Sequence, residues 1–403
     1  MAEAIETIAS IAQDLIDKEA ANDPEIRKIM KIVHTFIKNH RVMCYGGTAI
    51  NNILPKKQQF YNFDTDIPDY DFFSETPQKH AKQLSDILSK AGIENIEVKP
   101  GIHLGTFKVF ANYTGVADIS MLETEIFSKL WKESIEKDSI HYVPPNFLRM
   151  SMYLELSRPR GDVSRWKKVF KRLTLLNNEY PMECNNVEDK EIDLDYSLKR
   201  TIENHIIETE SVLLGFNAVS LQQKKDNKSW SFPIDLLVTP EKIEHTIKSF
   251  SDIFKKKDIV VHGYTEYAEL LPPHYDILNS KKELLIRIFQ TDACHSYHET
   301  SNKLKLASIP TILNFFFAML YADKHFLETT TRERLLCTCH LLVSMSNTNK
   351  RRFKLLTPIS CIGTQKQLID MKREKSELYS KLSKKKLSRK FLQYFFSYNP
   401  DKK

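Results

Sequence analysis

A mixed α/β fold of the α+β kind follows from three observations in this 403-residue chain. Short apolar or aromatic runs such as "VMCY", "YDFF" and "ELLIRIFQ" have the length and residue types of strands. Between them lie longer segments whose apolar residues recur every three or four positions, the period of a helix. Glycine, proline and small polar residues punctuate the change from one pattern to the other. The length is enough for two or three domains. A composition of 41% hydrophobic and 28% charged residues describes a folded soluble protein. No run of about 20 apolar residues occurs, so no helix long enough to span a bilayer is expected.

Residues 1–19 place Glu3, Glu6, Asp14 and Asp17 among apolar residues at helical spacing. That reads as an amphipathic helix, not a secretion signal, and leads to the expectation of a cytosolic protein. A second helix begins after Asp23 as N-cap, with Pro24 at its first position, and presents Ile26, Ile29, Met30, Val33, Phe36 and Ile37 on one face. The run "VMCY", then Gly46-Gly47, then "TAINNIL" reads as strand, glycine turn and helix. "YDFF" is a strand, followed by the helix "TPQKHAKQLSDILSKAG" with Thr76 as N-cap, Pro77 at N1 and Gly92 as C-cap. "IEVKP", "GTFKVFA" and "VADISM" complete a mixed α/β unit.

From about 143 the pattern turns helical and basic, and Arg158-Pro159-Arg160-Gly161 interrupts two helices. The acidic stretch "NNVEDKEID" marks a boundary, beyond which "FPIDLLV", "DIVVHGY" and "ELLIRIFQ" alternate with helices such as "PEKIEHTIKSFSDIFKKK". The expected organisation is N-terminal helices and a first mixed α/β domain over 1–142, a basic helical middle region over 143–195, a C-terminal α/β domain over 196–365 and a basic helical tail over 366–403. One faint repeat joins "PDYDFFSE" at 68–75 to "PHYDILNS" at 273–280. If the second α/β domain were a degenerate copy of the first, His274 would stand where Asp69 stands; chance similarity is the better reading.

The formal charge of +7 is unevenly placed. Residues 366–403 hold twelve Lys or Arg against four Asp or Glu, a net of +8, so the rest of the chain carries −1. The tail reads equally as a solvated helix face or as a polyanion-binding segment. Six scattered cysteines are expected as buried thiols of a reducing compartment and not as disulfides. "CHSYH" and "CTCH" lack a full tetrahedral ligand set, so neither is expected to bind metal.

The chemistry concentrates in "FDTDIPDYDFF", where four aspartates fall within residues 64–71 among aromatic residues. Alternation along a strand puts Asp69, Asp71 and Phe73 on one face and Tyr70 and Phe72 on the other. Two carboxylates so close need a cation, and hard oxygen ligands in small number suit Mg²⁺. A surface turn rich in Asp is the alternative for a lone motif of this kind. Upstream, "YGGTAIN" offers the backbone N–H groups of Gly46 and Gly47 and the hydroxyl of Thr48 to an anion at a helix start. Downstream, "VADISM" puts Asp118 in the middle of an otherwise apolar strand, where a carboxylate is rarely buried without a partner. The segment 158–172 adds Arg158, Arg160, Arg165, Lys167, Lys168, Lys171 and Arg172.

"GGTAIN", "DYDFF" and "VADIS" resemble the motifs of the DNA polymerase β-like nucleotidyltransferase superfamily. "YGGTAINNILP", "PDYDFF" and "ELSRPRGDVSRWKKVFKRL" are similar to the poly(A) polymerase catalytic subunits of large cytoplasmic DNA viruses, the poxvirus-type family. The resemblance is strongest over 42–182 and thin after 200. It implies a template-independent polymerase that adds AMP from ATP to an RNA 3′ end, with Asp69, Asp71 and Asp118 holding two Mg²⁺ or Mn²⁺ ions. By the same resemblance Gly46, Gly47, Thr48, Arg158 and Lys168 bind the nucleotide. It further implies a viral protein of the host cytoplasm or virion, and leaves open a homodimer or a processivity-factor partner. The gap from Gly47 to Asp69 is longer than is usual in the superfamily. Asp64 and Asp66 would shorten it, but "DTDIP" lacks strand context, so Asp69 and Asp71 are preferred and Asp64 and Asp66 are expected in a loop. Rival readings are a nucleotidyltransferase for another nucleotide or oligonucleotide product, and a non-catalytic RNA-binding scaffold of the same fold.

Overall fold

The computed structural model describes residues 2–62, 66–67, 70–184, 194–223, 230–254, 258–322, 324–348 and 358–402. The chain divides into two compact units, residues 1–148 with 367–403 and residues 149–366. The first unit opens with α1 (Ala2–Asn22) and α2 (Pro24–Asn39), followed by β1 (Met43–Cys44), α3 (Gly46–Ile53), β2 (Tyr70–Ser74) and α4 (Pro77–Lys90). It continues through β3 (Glu97–Pro100), β4 (Thr106–Ala111), β5 (Thr114–Met121), α5 (Thr124–Glu133), β6 (Ile135–Lys137) and β7 (Ile140–Tyr142), and ends in the first residues of α6 (Pro145–Leu156).

Asp23 caps α2 as its sequence position indicates, its side chain accepting from the Glu25 and Ile26 amides at 2.7 and 3.0 Å. The apolar face of that helix buries Ile29, Val33, Phe36 and Ile37. α1 forms too, but Ile5, Ile8, Ile11, Leu15 and Ile16 are each more than half exposed. At α4 the expected side-chain cap is absent: Thr76 makes none, and the Ser74 hydroxyl accepts from the Thr76 amide at 2.9 Å instead.

The second unit holds the rest of α6, then α7 (Trp166–Glu179), α8 (Tyr196–Glu208), β8 (Val212–Leu214), α9 (Gly215–Gln222), β9 (Ile234–Val238) and α10 (Ile243–Ile253). β10 (Ile259–Tyr264), β11 (His274–Asn279), β12 (Leu284–Gln290), β13 (His295–Glu299), β14 (Lys305–Ala307), α11 (Ile309–Tyr321), α12 (Arg332–Thr348) and β15 (Cys361–Ile362) follow. α11 is buried at every position, as expected of a helix apolar on all sides at the centre of a large core. The chain then returns to the first unit as α13 (Leu368–Leu382) and α14 (Arg389–Phe395). No helix among the described residues is long and apolar enough to cross a membrane.

The two sheets repeat one topology. The first runs β3-β4-β5-β2-β1-β7-β6 and the second β10-β11-β12-β9-β8-β14-β13, with β15 added at its edge. Strand polarity matches at each step: β2·β5 and β9·β12 are parallel, as are β1·β7 and β8·β14, while the remaining corresponding pairs are antiparallel. The second unit is therefore a structural copy of the first, the alternative raised for it above, although the likeness of the two short segments is itself chance. The correspondence also differs from the one the faint repeat suggested. "PHYDIL" forms β11, the counterpart of β4, and the counterpart of "YDFF" in β2 is "IDLL" in β9. By strand register Asp71 matches Asp235, so the position two residues earlier, that of Asp69, is held by Pro233 and not by His274.

Cysteine pairing departs from expectation. Cys184–Cys337 and Cys294–Cys361 are disulfide-bonded, with Cα–Cα distances of 4.7 and 5.3 Å, while Cys44 and Cys339 are buried thiols. The bonded partners lie 153 and 67 residues apart, so no local spacing announces them. The pairing also takes Cys294 and Cys337 out of any metal set.

Arg149, 1% exposed, ties α6 to the end of α7: it donates to Asn177 Oδ1 at 2.8 Å, to the Leu176 carbonyl at 3.3 Å and to the Tyr180 carbonyl. Arg149→Met keeps much of the volume and strands those acceptors, so a loss of about 2–3 kcal/mol is expected in urea denaturation. Burial also holds two histidines of this unit neutral, with His274 pushed down to about 4 and His295, beside Arg158, to about 3. The unfolded chain takes up those protons first, so their contribution is full above about pH 6.5 and is lost as the pH falls toward 4 and 3. Melting temperature measured across pH 7 to 4 should fall, and His295→Phe should flatten the lower part of that curve.

Candidate active site

The site is built by strand register. In the parallel pair β2·β5, Asp71 stands directly opposite Asp118; in the antiparallel pair β4·β5, Asp118 stands opposite Lys108. Residues in register on neighbouring strands project to the same face about 4.8 Å apart. Lys108, Asp118 and Asp71 therefore form a row across three strands, and Lys108 Nζ is ion-paired to Asp118 Oδ2. The side chains of Lys108 and Asp118 are 41% and 23% exposed, so the row is open to solvent.

The back of β2 is the packed side. Tyr70 and Phe72 are buried, with the Phe72 ring 6.2 Å from Phe36 of α2. On the front, beside Asp71, Phe73 stacks on Tyr45 at 4.0 Å and meets Phe147 edge-on at 5.9 Å. The Tyr45 and Thr106 hydroxyls each lie 2.9 Å from the Ser120 hydroxyl, which stands two residues beyond Asp118. Aromatic residues thus brace the strand from both sides while the carboxylates face outward. Asp69 and Asp64 lie outside the described residues; Asp66 is in a loop, where its carboxylate accepts from the Asn62 amide at 2.7 Å.

The glycine turn meets the row. The Tyr45 amide donates to the Asp71 carbonyl at 3.0 Å, and α3 starts at the next residue, Gly46, whose φ is +71°. A Cβ at Gly46 would lie 2.5 Å from Asp71 Oδ2, so only glycine both adopts this backbone and lets the carboxylate approach. Thr48 is buried within α3, leaving the backbone of Gly46 and Gly47 at the helix start. Two carboxylates on adjacent strands beside a cradle without Cβ are hard oxygen donors of the type that hold Mg²⁺ or Mn²⁺. A cation, the Lys108 ammonium, already lies against Asp118. The residues present fit a divalent ion.

The copy has the same parts with the charges rearranged. Gly215, φ +70°, begins α9 after β8, and a Cβ there would press on Asp235 Oδ2 more closely than in the first unit. The row across β11, β12 and β9 is Asp276, Arg287, Asp235. Arg287 donates to both Asp276 oxygens, at 2.9 and 3.1 Å, and His325 Nε2 is 2.9 Å from Asp276 Oδ2. Burial would raise the Asp276 carboxyl, but bonds from His325 and Arg287 hold it below the ordinary range. Asp235, fully enclosed, is pushed up to about 6 by burial despite Arg287.

His274, Asp276 and His325 bring ligand atoms within 4.8 Å of one another. A divalent ion there would meet the Arg287 guanidinium, whose Nη2 is 3.3 Å from His325 Nε2 and which already occupies both oxygens of Asp276. The cluster is a buried ion pair and not a metal centre. Phe216 replaces the second glycine of the turn, with its ring 4.9 Å from Phe316 and under the Arg334 guanidinium at 3.9 Å.

Arg158 and Lys168 belong to the second unit. Arg158 is half-buried, its Nε enclosed without a hydrogen-bond partner, and burial lowers its basicity. Lys168 is exposed on α7, whose other face buries Val169, Leu173 and Leu176. Arg165 pairs with Glu155 at 2.7 Å, so that cation of the segment is committed within the unit. Sequence reasoning missed Lys108, because nothing local marks a lysine in an alternating strand until the β4·β5 register is known.

Comparison with known proteins agrees with the motif resemblance. The family described as "Poly(A) polymerase catalytic subunit" matches residues 31–162. A protein of Acanthamoeba polyphaga mimivirus named for that subunit is 32% identical over 164 residues, 40% of this chain and 27% of its own length. One of African swine fever virus, isolate Pig/Kenya/KEN-50/1950, with the same name is 29% identical over 176 residues, 42% of this chain and 37% of its own. The matched stretch thus spans well under half of each relative. The crystal structure of the Megavirus polyadenylate synthase superposes on 99% of this chain and 85% of its own with a TM-score of 0.80 at 20% identity, which establishes the shared fold.

Gly46→Ala and Gly215→Ala each force a left-handed backbone and a Cβ against an aspartate, so each is expected to destabilise by roughly 1–2 kcal/mol in chemical denaturation. A neutral result for either would contradict the geometry of its turn.

Proposed function

We propose that this chain is a template-independent poly(A) polymerase that transfers AMP from ATP to the 3′ end of RNA. The observation that carries the reading is the register-matched pair Asp71 and Asp118 beside the Gly46 turn. The family match over residues 31–162 supports it.

Asp69, Asp71 and Asp118 would hold a pair of Mg²⁺ or Mn²⁺ ions. When bound, such ions neutralise triphosphate charge and lower the pKa of an RNA 3′-hydroxyl. The chain's own contribution is position. Backbone N–H groups of Gly46 and Gly47, with Thr48 behind them, present the start of α3 to the triphosphate. Asp118, projecting from a strand held on both sides, would accept the proton of the attacking hydroxyl. That oxygen bonds to the α-phosphorus as the bond to the β-phosphate oxygen breaks, and pyrophosphate leaves. Arg158 and Lys168 add cationic contacts to nucleotide or RNA phosphates. Holding the reactants in line is the larger part of such catalysis. The viral relatives favour a role in host cytoplasm or virion.

The test is Mg²⁺- or Mn²⁺-dependent incorporation of labelled ATP onto an oligo(A) primer, set against CTP, GTP and UTP. ATP should be preferred, and Asp71→Asn or Asp118→Asn should lose at least about a hundredfold in rate with little change in melting temperature. Undiminished extension by Asp71→Asn sinks the proposal, whereas a preference for another nucleotide keeps the chemistry and corrects the substrate. Primer binding should weaken by an order of magnitude or more between about 50 and 200 mM salt.

A further inference from the structure

We propose that Lys108 is the resident counter-ion of the catalytic carboxylates: it pairs with Asp118 in the metal-free protein and must be displaced by an arriving divalent ion, so that it sets the metal concentration at which the site loads. This rests on the metal-binding reading of Asp71 and Asp118 and deepens it.

Three observations support it. The first is geometric: Lys108 faces Asp118 across β4·β5 and its ammonium is ion-paired to Asp118 Oδ2, one of the oxygens a metal would use. The second is exposure. A lysine side chain 41% exposed, on a flexible four-carbon stem, can swing away into water at small cost.

The third comes from the copy. Each row carries two carboxylates and one cation, but the order differs: Lys108, Asp118, Asp71 in one and Asp276, Arg287, Asp235 in the other. With the cation at the end of the row, two carboxylates stay adjacent and the cation can leave. With it in the middle, the carboxylates are separated, and Arg287, 2% exposed and doubly bonded to Asp276, cannot leave. The same cross-strand contact is thus exchangeable in one unit and permanent in the other.

The sign of the effect follows from electrostatics. A unit positive charge beside Asp118 repels a divalent ion and competes for its oxygen. Against this, Lys108 pre-orients Asp118, but that short side chain already projects from a strand flanked by two others, so little order is lost without the lysine. Repulsion is the larger effect, and removing the charge should tighten metal binding.

The measurement is Mn²⁺ binding to the full chain without nucleotide, read by the paramagnetic resonance signal of free Mn²⁺. Lys108→Met should bind about three- to tenfold more tightly than wild type, and Lys108→Arg should restore wild-type affinity or weaken it. The Mn²⁺ concentration for half-maximal ATP incorporation should shift in the same direction. Should Lys108→Met fail to fold, Lys108→Gln removes the same charge with a polar side chain. Unchanged or weaker binding by the neutral variant overturns the inference, since a merely structural lysine would loosen the site on removal. Asp118→Asn separates the two levels. If wild-type Mn²⁺ binding does not depend on Asp118, the metal-binding reading fails and the role of Lys108 with it; if it does, and Lys108→Met still does not tighten it, only the counter-ion inference fails.

Discussion

The parallel register of β2 and β5 is the constraint from which the rest of the site follows. It forces Asp71 and Asp118, 47 positions apart in sequence, onto one face at neighbouring-strand distance. Like charges at that spacing repel, and the fold tolerates them because the strands are anchored elsewhere: Tyr70 and Phe72 are buried behind β2, and Ile119 and Ala117 are buried on β5. The hydrophobic burial of those four residues greatly exceeds the repulsion of two partly solvated carboxylates. A core on one side thus sustains an electrostatically unfavourable arrangement on the other, as is usual where local stability is given up for chemistry.

The duplicated unit shows how little has to change to close such a site. Gly215, Asp235 and the strand order are retained, yet Pro233 stands at the position of Asp69, Arg287 at that of Asp118, and Phe216 at that of Gly47. Each replacement acts on a separate requirement: a carboxylate ligand, the open space between carboxylates, and the backbone approach at the helix start. A guanidinium in the middle of the row pairs with Asp276 through both of its oxygens, and His325 completes the enclosure around that carboxylate, while Asp235 Oδ1 stays buried without a hydrogen-bond partner. The result is a buried ion pair at Asp276 where the first unit has an open row of carboxylates.

The first unit was largely legible because its signals are local. "VMCY" followed by two glycines, the alternation in "YDFF" and the lone aspartate in "VADISM" each depend on residues within a few positions, and β1, α3, β2 and β5 formed where these indicated. Less was legible where tertiary context decides. The hairpin β6–β7 turns on Asp138 and Ser139, both at positive φ without a glycine to mark it. α11 is too uniformly apolar to show any periodicity. The duplication could be raised from sequence but not aligned, because only the backbone plan persists; the one apparent repeat paired β2 with a strand that is the counterpart of β4. The disulfides and Lys108 share the same cause, a contact between residues far apart in sequence.

The tail gives the charge distribution its structural meaning. Residues 367–403 belong to the first unit, where Tyr398 pairs with Val98 through two backbone bonds of 2.8 and 3.1 Å and its hydroxyl donates to Asp86 at 2.6 Å. Phe396 meets Phe107 edge-on, and Lys375 donates to the Gly101 carbonyl at 3.0 Å. These contacts draw on the aromatic residues and one lysine, leaving Lys372, Lys381, Lys384, Lys385, Lys386 and Lys390 exposed. The reading as a solvated helix face therefore holds: its aromatic residues pack, and its basic residues are exposed. The cationic surface is thus carried by the same compact unit as the carboxylate row. Were the proposed polymerase reading to hold, a basic face that attracts phosphate over a wide area and a carboxylate pair that binds cations would be complementary demands on that one unit.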